Sequence, residues 1–239
     1  MVLESSSASS PDRKVVVTQP NYLPWRGHFA LLSEADVIVF LDDVQFTKRD
    51  WRNRNIIVSR EGTQWLSIPV ESKGRFKQTI RETRINDPEW KKRHWKTLKF
   101  TYERCAGWTS FADLFGEYYS APTSPFLVDE LLMSLDLCCH ALGIRTQVQL
   151  GSELPGSIDP TRRLIEKVSA VDGSRYLSGP SARRYLDEVQ FKRSGIEVCW
   201  YEYPQFGPYR QLQEGFTEHV SIADLLCCRA WSNWVEWDR

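Results

Sequence analysis

The sequence predicts an α/β fold: a single domain with a mostly parallel, Rossmann-like sheet, an inserted β-hairpin and a helical middle section. Strand-like and helix-like segments alternate near the N-terminus, and the alternation returns after residue 144. Strands that alternate with helices indicate a parallel sheet, because each parallel connection needs a crossover of a dozen or more residues. Between the two alternating regions lie a hairpin pattern and several amphipathic helices.

The opening strand–helix–strand unit shows the alternation most clearly. Val15–Val17 is a short β-branched run that stops at Gln19, because the following Pro20 disfavours helix in its predecessor and has no N–H to donate. The apolar residues of His28–Ala35 fall at helical spacings. Val37–Leu41 is continuously apolar, as a strand buried on both faces should be. The unit therefore predicts two parallel strands joined by a helix.

A hairpin and a helical section are predicted next. Ile56–Ser59 and Thr63–Val70 are β-rich and flank a short polar turn that contains Gly62. The remaining predicted elements are a β-like piece at Thr83–Ile85, helices from Asp87 to about Cys105, over Phe111–Tyr118 and from Ser124 to Gly143, a strand at Thr146–Leu150, a helix at Asp159–Val171, a strand at Tyr176–Leu177, a helix at Ser181–Ser194, a strand at Glu197–Tyr203 and a helix after Ser221. The strands after residue 144 are predicted to extend the parallel sheet.

Length and composition favour one globular domain. The chain has 239 residues, of which 41% are hydrophobic, and this suffices for one large α/β domain. No polar linker separates the two alternating regions, so residues 15–239 are predicted to form one domain. Residues 1–14 are rich in Ser and lack the apolar core of a secretory signal, so they are predicted to be a disordered tail.

Charge, hydropathy and cysteine usage argue against several functional classes. The formal net charge of +0 gives no wholesale attraction to nucleic acid or to a membrane surface. No run approaches the roughly 18 apolar residues of a spanning helix. The six cysteines include the adjacent pairs Cys138-Cys139 and Cys227-Cys228, but no C-x-x-C and no zinc spacing. We therefore expect a cytoplasmic protein with no metal, no cofactor, no nucleic-acid partner and no membrane span.

Polar side chains follow both strands of the opening unit. Gln19 and Asn21 come after the first strand, and Asp42 and Asp43 come directly after the second. Because the carboxyl ends of parallel strands meet at one edge of a sheet, the usual ligand crevice of an open α/β fold, we expect these side chains to converge. The sequence therefore predicts a functional site at this edge. The alternative is that the two aspartates only cap a turn.

A dense group of cations, amides and aromatic residues follows Asp43. Its members are Gln45, Phe46, Lys48, Arg49, Trp51, Arg52, Asn53, Arg54 and Asn55. Such a segment can neutralise an anionic ligand, and its rings can line a pocket. A solvated basic surface is the alternative interpretation. As a set, these residues favour a pocket that binds an anionic or phosphorylated group.

The same segment resembles the opening signature of the WbqC-like family, bacterial proteins found with polysaccharide and natural-product biosynthesis genes. The strings QPNYLPWRG and ADVIVFLDDVQFTKRDWRNRN carry the resemblance. It extends along the chain through shorter pieces at Trp65–Val70, Trp90–His94, Asp159–Leu164, Tyr176–Gly179 and Tyr209–Leu226. Members often carry His or Met where this chain has Thr18, and an aromatic residue where it has His28, so a catalytic role shared by the whole family is not expected at either position.

The resemblance implies amide formation, in which an acyl or aminoacyl group passes to an amine such as an amino sugar or a natural-product intermediate. The expected donor is an activated acyl group, such as a thioester on an acyl or peptidyl carrier protein. This chemistry needs a base to take the ammonium proton and donors to hold the oxyanion. The predicted catalytic residues are Asp43, as first choice for the base, Asp42, Lys48 and His28; the predicted substrate-binding residues are Gln19, Asn21, Tyr22, Trp25, Gln45, Trp51, Arg54, Asn55 and Tyr209.

Two other functions remain open on the sequence. The first alternative is a nucleotidylyltransferase. The layout of the opening unit is similar to that of the HxGH nucleotidylyltransferases: a strand, a proline-containing loop, Gly27-His28 and a helix. The first histidine of that signature is missing. A non-catalytic sugar- or nucleotide-binding protein is the other alternative, with the aromatic residues as its platform.

Overall fold

The protein divides into two compact units in a computed structural model that describes residues 12–231. The described residues of the first unit are 12–18, 31–41 and 146–202, and those of the second unit are 19–30, 42–145 and 203–231. Neither unit is a continuous stretch of sequence. The prediction that residues 15–239 form a single domain stays a prediction.

Seven strands and seven α-helices lie in the described part of the chain. The strands are β1 (Lys14–Thr18), β2 (Val37–Phe40), β3 (Arg54–Ser59), β4 (Gly62–Ser67), β5 (Gln147–Leu150), β6 (Arg175–Ser178) and β7 (Glu197–Trp200). The helices are α1 (Arg26–Ser33), α2 (Trp90–Tyr102), α3 (Trp108–Ser120), α4 (Leu127–Ala141), α5 (Pro160–Ala170), α6 (Glu188–Arg193) and α7 (Ile222–Cys228), with short 3₁₀ turns at Gly151–Glu153 and Pro180–Arg184.

The first unit holds a five-stranded parallel sheet in the order β5-β2-β1-β6-β7. β1 and β2 lie inside the sheet, and their register pairs Val15 with Val37 and Thr18 with Phe40. Every residue of β2 is buried, as its continuous apolar run predicts. The mostly parallel α/β fold is therefore confirmed.

The second unit joins the antiparallel hairpin β3–β4 to a group of helices. The register of the hairpin pairs Arg54 with Ser67 and Ser59 with Gly62. In this unit α2 packs on α3, and α3 also contacts α4 and α7. The inserted hairpin and the helical middle section are both present, as predicted from the sequence.

Several predicted elements differ from the structure in their extent, and one is the strand predicted at Glu197–Tyr203, which ends at Trp200. The helix predicted at Ser181–Ser194 is broken, because Asp187 accepts hydrogen bonds from the Val189 and Gln190 backbone N–H groups and starts α6 as a new helix. β4 ends at Ser67, since Pro69 cannot donate to a ladder.

The piece predicted at Thr83–Ile85 forms only the isolated bridges Arg84↔Phe126 and Val70↔Ile85. The N-terminal boundary also differs. Lys14 belongs to β1, and its N–H donates to Asp36 Oδ2 over 2.7 Å, so the predicted tail 1–14 includes a strand residue. The rest of that tail up to residue 11 lies outside the described residues.

Two further features of the described chain concern its helices and its cysteines. Within residues 12–231 no helix is both long and apolar enough to cross a membrane. All six cysteines are free thiols, and Cys138 and Cys227 are buried. Burial raises the pKa of both buried thiols, so they behave as small hydrophobic side chains.

We predict that Gly107→Ala destabilises the second unit. A Cβ at Gly107 would lie 2.1 Å from the Leu226 carbonyl oxygen and 2.2 Å from that of Arg229. Both atoms belong to the backbone, so relief requires movement of the chain at the end of α7, at a cost of about 3 kcal/mol. Urea unfolding measures the change.

Gly116→Ala is the matched control for this prediction. A Cβ there meets nothing closer than the Trp95 ring at 3.9 Å, and alanine in place of glycine inside a helix favours folding by about 0.5–1 kcal/mol. Equal unfolding free energies for the two variants would show that the close approach at Gly107 does not constrain the fold.

Candidate functional site

Arg52 connects the two amide side chains that follow β1. Its Nε donates to Gln19 Oε1, and its Nη1 donates to Asn21 Oδ1 over 2.5 Å. Nη2 lies 3.5 Å from the Asp50 carboxylate, and the Arg52 side chain is only 15% exposed. Burial lowers the pKa of Arg52, while the negative charge of Asp50 opposes that shift. All of these residues belong to the second unit.

This contact determines which way the two carboxamides point their donors. A guanidinium can only donate, so it selects the oxygen of each amide and places each NH₂ group on the opposite side. Neither the Gln19 Nε2 nor the Asn21 Nδ2 donates to another residue in the described range. Arg52 therefore holds two neutral N–H donor groups in fixed orientations and leaves them available to a ligand.

His28 is a buried imidazole in the same unit. It is 7% exposed, and its Nε2 has no hydrogen-bond partner among residues 12–231. Burial and, to a smaller extent, the positive charge of Arg52 together lower the pKa of His28 to about 4. His28 is therefore neutral near pH 7.

The loop that carries Asn21 is held by a buried network of hydrogen bonds. The Tyr22 hydroxyl lies 2.9 Å from His94 Nδ1 and 2.8 Å from the Tyr119 hydroxyl. His94 Nε2 lies 3.1 Å from the Ser67 carbonyl oxygen, so Nε2 carries the proton and Nδ1 accepts from Tyr22. Burial lowers the pKa of His94 to about 4, although the bond to Ser67 favours its charged form. His94 is thus a buried core histidine.

Asn55 supports the turn that follows Tyr22. Its Nδ2 donates to the carbonyl oxygens of Tyr22 (3.2 Å) and Leu23 (2.8 Å), and its Oδ1 accepts from the Ile56 N–H (2.8 Å). Leu23 has a φ of 41°, a left-handed conformation that an L side chain rarely adopts. The Ser221 hydroxyl also donates to the Leu23 carbonyl oxygen over 2.9 Å. The Asn55 amide, predicted to bind substrate, is used here to stabilise a strained turn.

Backbone hydrogen bonds hold the segment after β2, which carries Asp42 and Asp43, against residues 80–81. The Asp42 carbonyl oxygen accepts from the Arg81 N–H, and Val44 accepts from Ile80, each over 2.9 Å. Asp42 is 2% exposed, whereas Asp43 is half-buried. Asp43 is therefore the more accessible of the two predicted bases.

The predicted cations at the end of this segment contact aromatic rings. Lys48 Nζ lies 5.0 Å from the Phe76 ring centroid, and Gln45 Nε2 donates to the Phe76 carbonyl oxygen over 2.5 Å. The Arg54 guanidinium lies 4.1 Å from the Trp65 ring centroid. Trp51 stacks on Trp65 with ring centroids 5.7 Å apart, and both rings are more than 40% exposed. Lys48 and Arg54 thus each make a cation–π contact with an aromatic side chain of the protein.

Trp25 and Tyr209 lie in other surroundings. The Trp25 ring packs edge-on against His219 with ring centroids 4.7 Å apart. A Cβ at Gly27 would lie 2.2 Å from the Trp25 ring. The Tyr209 hydroxyl donates to Asp224 Oδ2 over 2.6 Å. Asp224 is fully buried, and burial raises its pKa despite the hydrogen bonds that it accepts. The polar group of Tyr209, predicted to bind substrate, therefore serves a buried network.

A comparison with known proteins agrees with the opening motif. A model of the WbqC-like protein family matches residues 19–235. The chain belongs to the WbqC-like family. It is 41% identical over 216 residues to the uncharacterized protein Rv1507c of Mycobacterium tuberculosis, a match that covers 90% of this chain and 93% of the relative. No solved structure matches significantly.

The sequence of this WbqC-like chain does not reveal the structural roles of two residues, Arg52 and Asp224. Arg52 was placed in the basic group but not among the substrate-binding residues, because its spacing alone does not identify Gln19 and Asn21 as its partners. Asp224 was missed, although it is the one carboxylate in the apolar stretch IADLLCC of α7. A lone acid in a buried helix needs hydrogen-bond donors, and this was the available signal.

We predict that this WbqC-like protein loses stability as the pH falls from about 6.5 towards about 4. The folded-state pKa values of His28 and His94 lie near 4, below the unfolded value, so the unfolded chain binds protons more readily in this window. Protonation of each histidine in the unfolded chain should therefore lower the unfolding free energy by about 2 kcal/mol as the pH falls from about 7.5 to about 5. Urea unfolding at the two pH values measures the loss.

The variant His28→Gln tests whether His28 contributes to this loss of stability at lower pH. The variant should lose about 2 kcal/mol less than the wild type over the same interval, whereas the exposed His140→Gln in α4 should behave like the wild type. If His28→Gln and the wild type lose the same free energy, His28 is not a buried neutral imidazole.

Proposed function

We propose that this protein forms an amide bond by transferring an acyl or aminoacyl group to an amine. One observation carries the proposal: Arg52 binds the side-chain oxygens of both Gln19 and Asn21 and so orients two NH₂ groups towards a ligand. Acyl transfer passes through a tetrahedral intermediate whose oxyanion needs preorganised donors. Two carboxamides fixed by one half-buried guanidinium meet that need, because they reorganise little when charge develops on the oxyanion.

The proposed reaction starts with a thioester or another activated acyl group as the donor. The amine nitrogen attacks the acyl carbon, a C–N bond forms, and the carbonyl oxygen becomes an oxyanion that accepts from Gln19 Nε2 and Asn21 Nδ2. The intermediate collapses as the C–S bond breaks and the thiol leaves. A carboxylate of the enzyme takes the proton that the amine loses and then gives it to the departing sulfur, so that the thiol is released and the carboxylate is restored.

Asp43 is the base that we propose. It directly follows Asp42 at the end of β2, and half-burial leaves it accessible to a substrate amine. Asp42 is 2% exposed, which suits a bracing role better than proton exchange with a ligand. A carboxylate also attracts the ammonium form of the amine before the proton is transferred.

The nucleotidyl-transfer alternative has less support. That reaction needs cations free to bind a triphosphate. Arg52 is committed to the two amides and Asp50, and Arg54 donates to the Arg49 carbonyl oxygen while its guanidinium lies over Trp65. These contacts leave the predicted anion-binding group with fewer available donors than its composition indicates.

The test is an amide-forming assay on the full chain. We expect that incubation with aminoacyl N-acetylcysteamine thioesters and a pool of amino sugars and other primary amines yields an amide, detected by mass. Arg52→Lys should lower kcat by about 10²–10³-fold, because an ammonium cannot hold both amide oxygens in one plane. Asp43→Asn should lower it by about 10²–10⁴-fold.

Arg162→Lys is the control. Arg162 is an arginine of α5 that pairs with Glu166 on the surface of the first unit, so its replacement should leave the rate unchanged. The proposal is wrong if the wild type makes no amide from any donor, or if Arg52→Lys keeps the full rate. Consumption of ATP with release of pyrophosphate and no amide would favour nucleotidyl transfer instead.

A further inference from the structure

A second concave region lies in the second unit, and Gln19, Asn21, Asp43 and Arg52 are not among its lining residues. It is an open cleft of about 860 Å³, which we name the α2 cleft, and its walls include Arg60, Lys96, Phe100, Arg104 and Arg210. Its volume lies within the range of about 300–1,000 Å³ that is typical of small-molecule sites.

Four cations of the α2 cleft make no ion pair or side-chain hydrogen bond with any residue in the described range. They are Arg60, Lys96, Arg104 and Arg210. Other cations of the same helix are paired, since Lys92 lies 2.7 Å from Glu89 and Arg93 lies 2.6 Å from Asp87. Among the described residues that line the cleft, only Glu61 and Glu103 are acidic, so these lining residues carry an excess of two positive charges.

The four cations come from separate parts of the unit. Arg60 lies in the β3–β4 turn, Lys96 lies in α2, Arg104 follows that helix, and Arg210 lies in the segment before α7. Cations that converge on one cavity from several elements surround a small anion, whereas a flat basic face would suit a protein or membrane surface. Guanidinium groups match phosphate oxygens in a bidentate geometry.

The aromatic ring of Phe100 lines the α2 cleft together with the four cations. Phe100 lines the cleft and is 87% exposed, although it is a large apolar side chain. An exposed ring next to several cations offers a stacking face for a planar group of a charged ligand. The ligand that fits this pattern combines phosphate with an aromatic ring.

The walls of the cleft are fixed before a ligand arrives. Gln64 Nε2 donates to Thr101 Oγ1 over 3.2 Å and ties the hairpin to α2. Gln211, which also lines the cleft, donates from Nε2 to Asp224 Oδ2 over 3.0 Å and accepts from the Thr217 N–H over 2.8 Å. Ordered walls lower the entropic cost of binding.

We propose that the α2 cleft binds a small molecule of the nucleoside diphosphate class, with the diphosphate on Lys96, Arg60, Arg104 and Arg210 and the base against Phe100. Two negative charges or more on the ligand balance the excess charge of the lining residues. This inference does not rest on the proposed acyl transfer.

Calorimetry on the full chain tests the proposal with four probes: inorganic pyrophosphate, ADP, UDP and adenosine. We expect saturable binding of a nucleoside diphosphate, weaker binding of pyrophosphate, and no detectable binding of adenosine. Lys96→Met should raise the Kd of the nucleoside diphosphate about tenfold, because one charge-assisted contact is lost. Phe100→Ala should weaken nucleoside diphosphate binding but leave pyrophosphate binding unchanged.

Lys99→Met is the matched control, since Lys99 is an exposed lysine of α2 that does not line the cleft. Its Kd should equal that of the wild type. The proposal is overturned if none of the phosphorylated probes binds, if Lys96→Met and Lys99→Met have equal effects, or if Phe100→Ala weakens pyrophosphate as much as the nucleotide.

Thiol labelling gives a readout on the unaltered chain. Cys105 lines the cleft and is half-buried, whereas Cys199 is a half-buried thiol of the first unit. Saturating ADP or UDP should slow maleimide labelling of Cys105 and leave Cys199 unaffected, as peptide mass analysis would show. Calorimetric binding without protection of Cys105 would place the ligand outside the α2 cleft.

Discussion

The hydrogen bonds from one half-buried guanidinium, that of Arg52, organise the candidate site. Arg52 donates to Gln19 and Asn21 and lies 3.5 Å from Asp50. A guanidinium has donors only, so this single contact determines the orientation of both amides, and it ties the chain after β1 to the segment after β2. The geometry that we propose for acyl transfer depends on it, because without Arg52 either carboxamide is free to rotate and present its oxygen.

Buried polar networks in the second unit support this arrangement. Tyr22, His94 and Tyr119 hold one side of the loop, and Asn55 holds its strained turn. Each network is nearly saturated with internal hydrogen bonds, so these groups stabilise the loop and are not available to a ligand. The polar atoms without a hydrogen-bond partner among residues 12–231 include the Gln19 and Asn21 side-chain nitrogens and His28 Nε2.

The sequence predicts the parallel sheet well because hydrophobic periodicity is a local property. β1, β2 and the β3–β4 hairpin appear where β-branched runs and a glycine turn indicate them. The break before α6 was missed because the cap formed by Asp187 competes with a helical pattern that continues across it. The candidate site was predicted as one cluster, but the role of Arg52 depends on two partners 33 and 31 residues away. Periodicity carries no information on such pairings.

A double-mutant cycle between Arg52→Met and Asn21→Leu tests the central claim most directly. The unfolding free energies of the wild type, both single variants and the double variant give the coupling between the two side chains. If Arg52 fixes the Asn21 amide, the coupling should exceed about 1 kcal/mol, because each single change leaves a half-buried polar partner unsatisfied. Additive changes, within about 0.3–0.5 kcal/mol, would show that the two side chains do not interact and would contradict the account.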